Sequence, residues 1–378
     1  MIGSFPKASY LFSMNSSSAD VAAYIWPSYH HEPRLAHWWE EGDGEWVTVR
    51  AHQPRWPGHE MPKIPLLGYQ DEADPAVMRQ HIDLALEYGV NVFIMDWYWY
   101  DDAPCFERQL NEGLLPAIEG TDMRFFLMWA NHDATSLWDR TTDANDLLYS
   151  AATDREQFER IWTRNLEKYL THPHYYRIDG KPVVSIFLLR KLVSDFGGIP
   201  ATRDAFAWLQ EKAKSFGLPG VHLQAIHWQI VPHESREEVG ELMDVGMAEL
   251  IRVCGFDSCT NYQMVQAAPG NIPYADFAQT AVSTWEKDDA EVPSFFPHVS
   301  VGWDNTHRNP GMQEGVTERS PALFQKAFQQ ALDFLDTHPD RPRLITVNSW
   351  NEWTEDSYLL PDEQWGYRYL EAIRDSLT

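Results

Sequence analysis

Two glutamates, Glu352 and Glu355, stand three apart in the stretch LITVNSWNEWTE (344–355), where a β-branched run gives way to amides, carboxylates and tryptophans. If the chain turns helically there, both side chains share one face, with Cβ atoms roughly 5–6 Å apart. Carboxylates that close resist ionising together, so one pKa rises while the other stays low. A proton donor and a base then coexist at one pH. The same residues would also suit a solvated turn with two surface glutamates, so the reading depends on what else faces them.

Aromatic and polar residues cluster after the other apolar runs too. They are Tyr24 and Trp26; Asp96 and Trp97; Trp129 with Asn131 and His132; His227 and Trp228; Asp257; Trp303 with Asp304 and Asn305; and Asn351 and Trp353 beside the glutamates. Flat aromatic faces with a polar handle suit a pyranose ring, apolar on one face and hydroxylated at its edge. Any one tryptophan could equally brace a loop; together on one rim they predict a sugar-binding cleft. Other chemistries lack their signatures. His30, His31, His132 and His227 could ligate a metal, but no HExxH, paired Cys/His spacing or DxDxDG occurs. No metal and no cofactor are therefore expected. A GxSxG elbow and a glycine-rich nucleotide cradle are also absent.

The elements that must position these residues alternate. Strands are predicted at Val21–Trp26, Val90–Met95, Arg124–Met128, Pro182–Phe187, Val221–Ile226, Glu249–Val253, His298–Val301 and Leu344–Val347. Helices are predicted between them: from Asp74-Pro75 to Gly89, Phe106–Ile118, Asp154–Leu170, Arg203–Phe216, Glu237–Met243, Tyr274–Lys287, one opened by Ser320-Pro321, and Gly366–Leu377. Residues 32–68, rich in Trp, His, Pro and Gly, form a long loop without clear periodicity, as functional loops often do. Short strands apolar on both faces, in strict βα order, imply an α/β fold. Eight such units imply a single (β/α)8 TIM-type barrel with long βα loops over residues 19–378, preceded by a loose arm at 1–18. In that fold catalytic residues gather at the C-terminal strand ends.

The chain has 378 residues and a formal net charge of -26, a field that repels phosphate backbones and anionic membranes and argues against nucleic acid or a membrane as partner. Cys105, Cys254 and Cys259 are scattered and odd in number, which indicates neither disulfides nor a zinc cluster. The first residues contain no continuous apolar stretch of export-signal type, so a cytoplasmic location is expected unless a leader has been trimmed. Oligomeric state is not legible.

Five segments carry a family likeness: YIWPSYH (24–30), MWANHD (128–133), YYRIDGKPV (175–183), VGWDNTHR (301–308) and NSWNEWTEDSYLLPD (348–362). In this order they resemble the glycoside hydrolase family 99-like, WbsX-type proteins, from about residue 21 to the C-terminus. The resemblance implies a (β/α)8 barrel acting on glycans. By it, Glu355 is the general acid/base and Glu352 the base that assists attack by the substrate's own 2-hydroxyl, with retention through an anhydro-sugar. Carboxyl groups about 5–5.5 Å apart favour retention in any case. The expectation is thus a retaining glycoside hydrolase; a glycosyltransferase or transglycosylase, or a non-catalytic glycan-binding barrel, is the alternative. Two positions depart from the family pattern. His307 stands where the WDNTPR-like segment has proline, and His132 where the WANE-like segment has glutamate. The family's α-mannan specificity is not carried over.

Overall fold

The structure, a computed structural model, describes residues 19–39, 42–138, 146–227, 244–309 and 315–378. The arm at 1–18, Trp228 and the helix expected at 237–243 lie outside them. Among the described residues, eight parallel strands form a closed barrel: β1 (Asp20–Ile25), β2 (Val92–Tyr100), β3 (Arg124–Trp129), β4 (Lys181–Ile186), β5 (His222–Ile226), β6 (Ser258–Thr260), β7 (Phe295–Phe296 with His298–Ser300) and β8 (Leu344–Asn348). Each pairs with the next, and β8 returns to β1 through Asp20↔Leu344 to Ala23↔Val347. Strand β7 is split by Pro297, which has no N–H to give a ladder. Phe295–Phe296 pairs with β6, and His298–Ser300 pairs with β8. Helices lie between successive strands around the barrel.

The sequence signals act locally as expected. Asp74 caps Pro75–Glu87 through Ala76 N, Asp154 caps Arg155–Asn165 through Gln157 N, and Ser320 caps Pro321–Asp336 through Leu323 N. The helix expected at 274–287 is two, Tyr274–Val282 and Trp285–Glu291; that expected from Arg203 starts earlier, at Ile199. The loop at 32–68 contains a short helix, Trp46–Ala51.

One strand was misplaced. Glu249–Val253 belongs to a helix, Met247–Cys254, which buries Met247, Leu250, Ile251 and Cys254 and stops at Gly255 with φ +83. That i, i+3, i+4, i+7 stripe is the helical period; the β-branched pair Ile251 and Val253 obscured it. Strand six is Ser258–Thr260, so Asp257 lies at its N-terminal end, away from the expected rim, and Asn261 and Tyr262 take the rim position. Strand β2 is longer than expected. It runs through Asp96 to Tyr100, and Tyr98–Tyr100 pair with a return strand at Ala103–Cys105. Among the described residues, no helix is long and apolar enough to cross a membrane.

Candidate active site

After β8 the chain makes a tight hairpin. Asn351–Glu352 pairs antiparallel with Ser357–Tyr358, and a 3-10 turn, Trp353–Glu355, joins them. Residues three apart eclipse on such a turn, so Glu352 and Glu355 converge. Arg308 Nη1 lies 3.5 Å from Glu352 Oε1 and 3.2 Å from Glu355 Oε1. The hairpin is held from below: the Asn351 amide accepts from Trp26 N (2.8 Å) and donates to Trp26 O (2.9 Å) and Glu72 Oε2 (2.7 Å). Trp353 stacks on Tyr358 with centroids 3.8 Å apart.

Both glutamates border a cavity of about 230 Å³ at the C-terminal barrel mouth. Its walls are aromatic: Trp26, Tyr98, Trp138, Phe187 and Trp303. Its polar groups are Asp96, His132, Tyr262, Asn305 and Arg308 with the two glutamates. Arg308 is the electrostatic hub. Its Nε and Nη2 form a fork to Glu45 Oε1 (2.7 Å) and Oε2 (3.0 Å), and its guanidinium carbon lies 4.9 Å from the Trp26 ring centroid. Glu45, buried, also accepts from Trp26 Nε1 (2.5 Å), Ser28 Oγ and Thr354 Oγ1. Gly44 permits this approach: a Cβ there would sit 1.9 Å from the Ser28 carbonyl oxygen. Burial alone would lower the Arg308 pKa, but Glu45, Glu355 and Glu352 push it well above its ordinary value, so it stays a cation.

The carboxyl groups are not equivalent. Burial, then the charge of Glu352, pushes Glu355 well above the usual carboxylate range; its Oε2 is buried without a described partner. Burial also raises Glu352, but Arg308 and hydrogen bonds from Tyr262 Oη (2.9 Å) and Asn348 Nδ2 (3.2 Å) oppose the rise. Glu355 is thus the group that keeps its proton and Glu352 the one that gives it up first. Tyr262 Oη also lies 3.0 Å from Asp96 Oδ2. A phenol has one proton, so it cannot donate to two carboxylates at once. Burial and the charge of Glu352 raise Asp96 strongly, which identifies Asp96 as the protonated partner. His132 donates from Nδ1 to the Asp133 carbonyl (2.9 Å), and burial lowers its pKa, leaving Nε2 as an acceptor at the cavity.

Of the residues expected at the site, Trp26, Asp96, His132, Trp303, Asn305, Glu352 and Glu355 meet at the cavity. Trp228 lies outside the described residues, and the other described ones are placed elsewhere. Tyr24 is buried in the barrel, its Oη on the Asn261 carbonyl (3.1 Å). Trp97 donates to Glu107 (2.8 Å), and Trp129 packs against Phe158 and Trp162. Asn131 ties the chain after β3 to that after β4, bonding Leu188 N (2.7 Å) and O (3.0 Å). Asn351 and Trp353 support the hairpin. Asp304 binds His59 (2.7 Å) behind the cavity wall, and His227 borders a separate polar cleft with Asp288 and Asn261. Glu45, Tyr98, Trp138, Phe187, Tyr262 and Arg308 were not singled out from sequence.

The family profile described as Glycosyltransferase WbsX matches residues 21–373. A curated relative, the uncharacterized protein WxcX of Xanthomonas campestris pv. campestris, is 25% identical over 374 residues, 95% of this chain and 50% of its own. This chain therefore spans about half the length of that relative. The human glycoprotein endo-alpha-1,2-mannosidase-like protein is 21% identical over 352 residues, covering 89% of this chain and 67% of the other. Among solved structures, the GH99 endo-alpha-mannosidase of Bacteroides thetaiotaomicron is similar, with a TM-score of 0.61 at 15% identity over 94% of this chain and 96% of that one. A glycoside hydrolase-like protein has a TM-score of 0.62 at 15% identity, covering 100% of this chain and 98% of that chain. These likenesses show the fold.

Proposed function

The chain belongs to the WbsX glycosyltransferase family, and from that premise and the chemistry of its cavity we propose that it is a retaining glycoside hydrolase acting on a poly- or oligosaccharide. The observation that carries the reading is the pair Glu352–Glu355, both buried and both within reach of one guanidinium nitrogen, with unequal proton affinities. Glu355 protonates the departing glycosidic oxygen. Glu352, its charge steadied by Arg308 and Tyr262, acts on the other partner: as base towards the sugar's 2-hydroxyl, or as nucleophile at the anomeric carbon. The tryptophan walls hold the ring, and Asp96, Asn305 and His132 meet its hydroxyls. The names of the human and Bacteroides proteins support this class of reaction.

The family's description favours a second reading, transfer from an activated sugar. A nucleotide-sugar donor needs cationic cover for its diphosphate. Among the described residues, Arg308 is the cation bordering the cavity, and it is already engaged by Glu45, Glu352 and Glu355, which favours hydrolysis. The test is product analysis by NMR on a polysaccharide panel, with and without sugar nucleotide. Release with retained anomeric configuration, lost by at least 10³-fold (about 4 kcal/mol) in Glu355→Gln, is expected. Inverted product, or wild-type rate in Glu355→Gln, sinks the assignment. Product formed only with the nucleotide present establishes the second reading.

A further inference from the structure

The geometry points to a divalent-cation site of His52, Asp304 and His307, with first-row transition metals of the zinc type as its ligand class. All three residues are buried, and each offers one ligand atom within 4.8 Å of the others. Two imidazoles and a carboxylate form the donor set expected for zinc and its neighbours, not for magnesium or calcium. The residues are remote in sequence, 52 against 304 and 307, so no spacing motif shows them.

The independent observation is His307. It is 4% exposed, and neither ring nitrogen has a hydrogen-bond partner among the described residues. A buried imidazole without partners is costly; a ligand on one nitrogen removes much of that cost. The surrounding bonds leave a lone pair uncommitted on each of the other two residues. Arg55 N donates to His59 Nδ1 (3.0 Å), so His59 Nε2–H donates to Asp304 Oδ2 (2.7 Å). Thr306 gives its N–H (2.9 Å) and its hydroxyl proton (2.6 Å) to Asp304 Oδ1. One lone pair therefore remains on Oδ2. Because the Thr306 proton is committed, His52 Nε2–H must donate to Thr306 Oγ1 (3.1 Å), leaving Nδ1 as an uncommitted acceptor. His59 and Thr306 thus stand as the outer groups that orient metal ligands.

The His52 and His307 rings stack with centroids 3.9 Å apart. A tetrahedral site with bonds of about 2.0 Å has ligand atoms about 3.3 Å apart, so closure on a cation needs the two rings to rotate out of their stack until their in-plane lone pairs converge. The cation would join the segment carrying His52 to the loop after β7. That loop supplies Trp303, Asn305 and Arg308 to the cavity, so the site would pin one wall of it without touching substrate.

The test is direct binding on tag-free, chelator-treated protein. Titration with zinc alone, followed by calorimetry, should give one saturable equivalent and a raised thermal midpoint. Cobalt should give visible bands of low-symmetry, four-coordinate type. His307→Gln and His52→Gln should each weaken zinc by at least tenfold and abolish those bands, while exchange of an exposed histidine, His31→Gln, should not. Should a variant fail to fold, the wild-type cobalt spectrum decides: bands of the weak octahedral-aquo type overturn the site. No saturable equivalent in the wild type, or unchanged affinity in a folded His307→Gln, also overturns it.

Discussion

At the scale of single residues, the proton between Asp96, Tyr262 and Glu352 is the sharpest handle. If Asp96 carries it, Asp96→Asn preserves both charge and shape, and kcat should fall by less than about tenfold. Tyr262→Phe removes the bridging hydroxyl, should cost about 10–100-fold in kcat, and should move the acidic limb of the pH–rate profile upward as Glu352 loses a donor. A loss in Asp96→Asn as deep as that of Glu355→Gln would mean that Asp96 works ionised. Arg308→Lys is a different kind of change, because an ammonium cannot replace the fork to Glu45. Leaving the buried carboxylates of Glu45 and Glu352 poorly paired should cost about 3–5 kcal/mol, read by urea unfolding. The glutamate pair was legible in the sequence because its spacing is local. Arg308 was not, because its partner Glu45 lies 263 residues away, and sequence spacing carries no trace of such a bond.

At the scale of elements, most of the barrel could be read because each βα unit announces itself by caps and periodicity. Strand six failed for a physical reason: it is three residues long, while the preceding helix is apolar enough to pass for a strand. Misplacing it hid Tyr262. The tryptophans raise a related point. Trp97 and Trp129 follow the same local pattern as Trp26 but pack outward, since side chains alternate along a strand, and a one-residue difference in where a strand ends decides which face each takes. Asn131 and Asn351, expected to hold sugar, instead tie loops together. Asn351→Ala should therefore destabilise the fold by about 2–4 kcal/mol through the unpaired Trp26 amide and Glu72, with KM in the proposed reaction moving less than stability. A folded, fully stable Asn351→Ala that fails only in binding would return Asn351 to the cavity.

At the scale of the whole molecule, buried carboxyl groups set the pH response. Glu72, Asp96 and Glu355 all have pKa values raised well above the unfolded range, burial being the largest cause. A raised folded-state pKa contributes stability that is full below the unfolded value, about 4.3 for glutamate, and is lost as pH rises through the folded value. The thermal midpoint should thus fall as pH climbs above the unfolded carboxylate values and through the raised folded ones, and the net charge of -26 adds repulsion of the same sign. Glu72→Gln, which keeps an acceptor for Asn351 and Gln109, should flatten that slope in calorimetry at several pH values. A midpoint that rises with pH would mean these groups are ionised and paired in the fold.

Pro297 divides β7 so that one half holds β6 and the other holds β8. The circle of hydrogen bonds is therefore joined here by two short runs offset along the axis, where every other strand spans its neighbours continuously. Such a seam is the natural place for breathing. In hydrogen–deuterium exchange, the amides of Cys259, Val299 and Val301 should exchange ahead of those in β1 and β2. The seam lies directly beneath the wall that carries Trp303 and Arg308, so the barrel's least secured joint and the cavity's charged wall would open together.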